Sequence, residues 1–314
     1  MDIHEHLTNG ILDVELRLPG SEPAWTRFDL SGMISQVTLH GKHRFCQPEQ
    51  TEKHPNRVTC YGFGLSSEFC MNELPSELPA GEKFPKPGVG ILTQKANGGA
   101  YDIFNLYEVQ RFPKEWKLEK DRAHFHEVDA ACMGIAMEID RDVVLSGNQI
   151  IITTTVRNTG KETINMTEYQ HNFFAIDDIP IGKGYRLEIP FDRQLERLKN
   201  QFTTLEPTKE PIPAPVDIED GTVTWQDSME NKTFHKVTEK DGIPQLPEYS
   251  WKISCAQSPA TVREICSFKP EIIVMWGIEH CICPEIHKRI VVEPNQSQTF
   301  TRTWMFEDDE TQIS

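Results

Sequence analysis

Residues 143–157, VVLSGNQIIITTTVR, carry the clearest secondary-structure signal in the chain. The β-branched run from Ile150 to Val156 suits a pleated, half-buried surface, and Ser146-Gly147-Asn148 supplies a turn just ahead of it, so the stretch predicts a β-hairpin. Similar segments recur on both sides. Residues 11–18 (ILDVELRL) alternate and stop at Pro19-Gly20, residues 26–40 predict two short strands around Ser31-Gly32, and Tyr61 to Phe69 predicts another. Further strands are predicted at 101–109, 116–118, 123–128 and 131–139. After the hairpin come WKISCA, TVREICSF, EIIVMWGI, HCICPE, RIVVEP and QTFTRTWMF. Only DRQLERLKNQ (192–201) predicts a helix, and the Pro-rich stretches 75–90 and 206–221 predict long loops. The strand pattern runs from residue 11 to 306 without a break in composition. Residues 1–314 therefore read as one large all-β, antiparallel domain.

Composition narrows the function classes. Of 314 residues, 38% are hydrophobic and 25% charged, the balance of a globular chain. Lys plus Arg is 32 against 48 for Asp plus Glu, a net charge of −16, which disfavours nucleic acid and anionic membrane as partners. No run approaches the ~20 apolar residues of a membrane helix. The opening MDIHEHLTNG lacks the charged-then-apolar pattern of a signal peptide. The 8 cysteines are scattered, most of them in apolar runs, so they read as reduced thiols in a cytoplasmic protein.

The familiar catalytic signatures are absent. There is no G-x-S-x-G elbow, no P-loop and no dinucleotide fingerprint, which argues against ATP and NAD as cofactors. His280, Cys281, Cys283 and His287 cluster, but no second cysteine pair completes a tetrahedral set, so no metal is expected. Acid–base chemistry remains. In MTEYQHNFFAIDDIPIGKGYRLEIPF (166–191) a histidine, His171, sits mid-strand between two amides; Glu285 ends HCICPE; Glu68 lies in LSSEF. A histidine and a carboxylate flanking a small substrate can add one proton and remove another. The competing readings are a satisfied core histidine, a solvent-facing strand end for Glu285 and a rim position for Glu68.

FDLSG followed by Gly41, YQHNFF (169–174), MWGIEHCICPE (275–285) and RIVVEPNQSQTFTRTWMF (289–306) together resemble the galactose mutarotase-like (aldose 1-epimerase) superfamily. The resemblance spans nearly the full length, on short motifs. It implies a large twisted antiparallel β-sandwich, the supersandwich, with a sugar held on a concave sheet face. It implies His171 as the acid that protonates the ring oxygen and Glu285 as the base that takes the anomeric proton, interconverting anomers without a cofactor. Arg44, Glu68, Lys86, Asn172, Phe173, Trp276 and Glu279 are the substrate-binding candidates that go with it. Phe173 falls on the His171 face of its strand as a sugar-stacking ring, and Phe174 falls to the core.

The chain departs from the family pattern in three places. The family's early sugar-binding arginine has no clean counterpart other than Arg44; its second histidine has none, Lys86 or Glu82 standing in that loop; and the closing turn reads Pro294-Asn295-Gln296, while Glu279 rivals Glu285 as the base. The leading expectation is a cytoplasmic aldose 1-epimerase-like isomerase acting on a small-molecule carbohydrate, with a homodimer as an open question. A lyase or keto-sugar isomerase, or a sugar-binding module without turnover, stays open beside it.

Overall fold

The computed structural model of the chain describes residues 3–21, 26–51, 62–190, 216–230, 233–238 and 242–309. In chain order the first strands are β1 (His4–Thr8), β2 (Leu12–Arg17), β3 (Met33–Leu39), β4 (His43–Arg44) and β5 (Leu65–Met71). A second group is β6 (Lys83–Lys86), β7 (Gly90–Thr93), β8 (Glu108–Arg111), β9 (Lys114–Leu118) and β10 (Arg122–Val128). The middle of the chain gives β11 (Met137–Ser146), β12 (Gln149–Asn158), β13 (Ile164–Asn172), β14 (Tyr185–Glu188), β15 (Val216–Glu219), β16 (Thr222–Trp225) and β17 (Phe234–Val237). The last strands are β18 (Tyr249–Cys255), β19 (Ser258–Cys266), β20 (Ile273–Ile278), β21 (Cys281–Val292) and β22 (Ser297–Asp308).

These strands build two large antiparallel sheets and one small one. The first runs β1-β2-β3-β5-β13-β21-β20-β17, with β4 attached to β3. The second runs β15-β16-β14-β18-β19-β22-β12-β11-β10-β9, and β6-β7-β8 stand apart. The expected hairpin is β11–β12, paired from Met137↔Asn158 to Ser146↔Gln149. Its alternation explains its place. Ile150, Ile152, Thr154 and Val156 are buried, while the outward Thr153 and Thr155 meet Thr301 and Thr299 of β22 at 3.2 and 2.9 Å.

The two large sheets share one core. Val14, Leu16 and Ile34 of the first meet Phe125, Val143, Ile150 and Trp304 of the second. Trp304 is fully buried, and truncating such a side chain costs about 3–5 kcal/mol. The same layer holds a charge network. Arg302 donates at 2.7 Å to Glu168, to Glu264 and to the Ile286 carbonyl, and Trp251 Nε1 donates to Glu264 at 2.5 Å. Complete pairing is what makes charge between two sheets tolerable.

Several expectations change. Residues 26–31 form no strand: Asp29 N donates to the Ser67 carbonyl while the Asp29 carboxylate accepts from Ser31 N at 2.8 Å, closing a turn ahead of β3. The loop read at 75–90 contains β6, which tolerates Pro85 because it is an edge strand. HCICPE and RIVVEP are one strand, β21, that runs through Pro284; its ladder with β13 stops at Tyr169↔His287, so no β13 carbonyl in that ladder needs the missing N–H. Of the loop read at 206–221, the described part holds strand β15. The helix read at 192–201 lies outside the described residues.

Candidate functional site

β13 is hydrogen-bonded to β5 on one side and β21 on the other, which makes its outward face a floor. Side chains alternate along it. Glu168 and Asn172 turn to the layer between the sheets, while Tyr169, His171 and Phe173 turn away from it. On that outer face His171 Nε2 lies 3.0 Å from Glu285 Oε1. Both groups are almost enclosed, at 6% and 5% exposure. The imidazole stacks on Phe173 at 4.0 Å and 10°, with Phe28 and Trp276 edge-on at 6.0 and 5.8 Å. An aromatic cage of this kind fixes the ring and leaves it little freedom besides proton exchange.

The other Glu285 oxygen, Oε2, meets His287 Nε2 at 3.4 Å. His287 stacks on Tyr169 at 4.4 Å and 8°, its register partner across the β13–β21 ladder. The Tyr169 hydroxyl donates to Glu68 and accepts from Arg27 at 3.0 Å. Glu68 also receives Arg27 Nε at 2.6 Å and Lys86 Nζ at 2.7 Å, and Arg27 stands 3.8 Å from Glu49. The result is one continuous buried network from Lys86 to His171.

The two carboxyls of that network are driven apart. Burial pushes Glu285 well above the usual carboxylate range; Arg27 draws it down, and Glu68 and Glu49 push it further up. Burial acts the same way on Glu68, but Lys86 and Arg27 outweigh it and hold the carboxyl at about 2. Opposite shifts in neighbouring carboxyls separate a fixed anion from a group able to exchange a proton.

The structure brings His171, Glu285, Trp276, Glu68 and Lys86 into this region and removes others. Phe173 shares the His171 face but is 0% exposed beneath the imidazole, so it cannot offer its ring to a sugar. Asn172 points to the opposite face, where Nδ2 donates to the Pro284 carbonyl at 2.6 Å. Its role is to hold the backbone next to Glu285. Arg44 is 55% exposed on β4 and pairs with Asp178 at 3.4 Å, away from the network. Glu279 sits in the β20–β21 turn, where its carbonyl accepts from Ile181 N; the carboxylate that reaches His171 is that of Glu285.

Arg27, Glu49, Tyr169 and His287 were not singled out from the sequence as parts of this site. Two residues after Glu285 on a strand, His287 had to share its face, and that signal was legible. Arg27, in a segment with no regular structure, left none. Among the described residues no set of three or more His, Cys, Asp or Glu is arranged to hold a metal ion, and Cys281 and Cys283 pack with Phe28, Met33 and Phe173. No helix of the described residues is long and apolar enough to cross a membrane.

No family model and no curated protein matches the chain. Solved structures do. Slr1438 from Synechocystis sp. PCC 6803 aligns over 98% of this chain and 97% of its own, with a TM-score of 0.62 at 13% identity. A galactose mutarotase related enzyme from Lactobacillus acidophilus aligns over 98% of both chains, TM-score 0.58 at 10% identity. The chain has the galactose mutarotase-like fold. A galactose mutarotase-like protein from Clostridium acetobutylicum, aligned over 98% of both chains with a TM-score of 0.57 at 12% identity, is a further member of that fold. Many other solved galactose mutarotase-like and aldose epimerase chains match as well. At these identities the likeness carries the architecture, and the chemistry has to be argued from the site.

Proposed function

We propose that this chain is a carbohydrate isomerase of the aldose 1-epimerase type, with His171 and Glu285 as its acid and base. The observation that carries the proposal is the 3.0 Å approach of His171 Nε2 to Glu285 Oε1 on the outer face of β13. In the resting site the imidazole and the carboxyl face one another at hydrogen-bond distance. A bound sugar replaces that contact: His171 gives its proton to the ring oxygen while Glu285 takes the anomeric hydroxyl proton, and the ring opens. Rotation about C1–C2 presents the other carbonyl face, and the reverse transfers close the opposite anomer. Both steps are proton transfers, which suits an imidazole and a carboxyl whose pKa burial has raised.

Trp276, partly exposed and edge-on to His171, is the ring assigned to the sugar face, and the buried Arg27–Glu68–Lys86 cluster sets the charge around Glu285 from the other flank of β13. A Glu285 turned away from His171 would have favoured binding without turnover; their contact supports turnover.

The test is an exchange-NMR screen of common aldoses, with and without the protein, alongside Glu285→Gln. Faster anomer exchange with the wild type, lost in the variant, supports the reading. Saturable binding with no acceleration for any sugar would replace it with a binding protein.

A further inference from the structure

Glu285 is gripped at both oxygens, and only one grip belongs to the reaction just described. Oε1 faces His171 at 3.0 Å and Oε2 faces His287 Nε2 at 3.4 Å. The His287 ring cannot easily turn away. It lies flat on Tyr169 at 4.4 Å, and the backbone around it is pinned, His287 N donating to the Ile272 carbonyl at 3.0 Å and Glu271 N to the His287 carbonyl at 2.8 Å. Tyr169 is itself anchored by Glu68 and Arg27. His287, at 4% exposure, therefore presents Nε2 to one carboxyl oxygen in a preset orientation.

We propose that His287 is the positioning residue of Glu285, holding Oε2 so that Oε1 alone serves the sugar, and keeping the carboxyl ionisable in its enclosed site. This rests on the reading of Glu285 as the proton-accepting group. When a sugar displaces His171 from Oε1, the His287 bond persists and stops the carboxylate from rotating out of line. A hydrogen bond donated to the charged form also favours ionisation. The other titratable or charged groups around Glu285 are His171 and Tyr169 on β13, Glu68 on β5, Cys283 on its own strand, and Arg27 and Glu49 from the adjoining loops. Apart from His171, whose contact the substrate takes over, Arg27 is the cation among them.

The contact is made through Nε2, so two amide substitutions separate geometry from polarity. His287→Gln places an N–H where Nε2 was, and His287→Asn places one nearer Nδ1. The expected result is that His287→Asn lowers kcat about tenfold or more with KM changed less than about threefold, and moves the acidic limb of kcat/KM to higher pH. His287→Gln should recover kcat to within about threefold of the wild type, with the limb restored. Equal behaviour of the two variants, or an acidic limb that does not move in His287→Asn, overturns the proposal.

A readout independent of turnover is the 15N titration of the His171 imidazole. Weaker ionisation of Glu285 should lower the His171 pKa in His287→Asn and not in His287→Gln. If the wild type accelerates no sugar, the proposed function fails, yet this titration still decides whether His287 acts on the Glu285 charge; an unmoved His171 curve sinks the inference.

Discussion

Glu68 and Glu285 face the same side of one sheet, from the two strands that flank β13, and their surroundings drive them to opposite states of ionisation. Glu68 lies against Lys86 and Arg27 and is held at about 2; Glu285 has histidines at both oxygens and is pushed upward by burial. Tyr169 joins them, its hydroxyl on Glu68 and its ring on the histidine that touches Glu285. One carboxylate serves as permanent charge and the other as exchangeable charge.

If His171 and Glu285 carry the proton transfers, His171→Ala and Glu285→Gln should each slow anomer exchange by ~100-fold or more, with Glu285→Gln still binding sugar. Polarimetry and saturation binding read the two quantities separately. Full rates in both variants would remove the assignment.

Glu285→Gln should also raise stability, with a definite pH dependence. A carboxyl whose pKa is raised in the folded state binds its proton more tightly there than in the unfolded chain. Folding stability therefore drops as pH rises from the ordinary carboxylate value, near 4.5, through the raised one. The amide has no such titration. Thermal melts should show the variant more stable than wild type at pH 8, with the gap closing near pH 4.5. A gap that widens towards acid contradicts the assigned shift.

Glu68 behaves in the opposite sense. Its pKa falls from 4.5 to about 2 on folding, so its contribution is complete above 4.5 and is lost as pH falls towards 2. A shift of that size corresponds to about 3 kcal/mol. Lys86→Met leaves Arg27 as the remaining direct cationic partner of Glu68 and should destabilise the fold by about 3–5 kcal/mol at pH 7, the range for breaking a buried pair from one side. It should also flatten the acid slope. Urea titrations at pH 7, 4 and 3 measure both effects.

Two arginines should respond differently. Arg44→Ala removes an exposed pair with Asp178 and should change stability by less than ~1 kcal/mol, leaving turnover intact. Arg27→Ala removes a buried cation that contacts Glu68 and Tyr169 and draws Glu285 down, so it should lower both stability and rate. Matching effects of the two substitutions would mean that the buried network does not reach the chemistry.

Much of the architecture was legible because period-two patterning states which side of a strand is wet. The hairpin around Ser146-Gly147-Asn148, the strand of His171 and the core position of Phe174 follow from alternation alone. The same rule placed Phe173 on the His171 face, but alternation is silent on how side chains stack above a sheet, and the imidazole lies over that ring. Arg27 was out of reach for a related reason: it comes from a non-repetitive turn whose position depends on Asp29 bonding to Ser67, a tertiary contact with no local pattern. That HCICPE and RIVVEP are one strand was out of reach because only the assembled sheet reveals that the β13 ladder ends short of Pro284.

The location of β13 also bears on how the site is assembled. Glu68 precedes Tyr169 by 101 residues, and His287 follows it by more than a hundred, so both flanks of the floor are closed by contacts between distant parts of the chain. Such contacts form late, since long loops must close before they yield any favourable interaction. The β11–β12 hairpin, turned within a few residues, has no such delay. Refolding should restore strand content ahead of the His171–Glu285 contact, and no fragment ending before residue 287 can assemble the His–Glu–His arrangement.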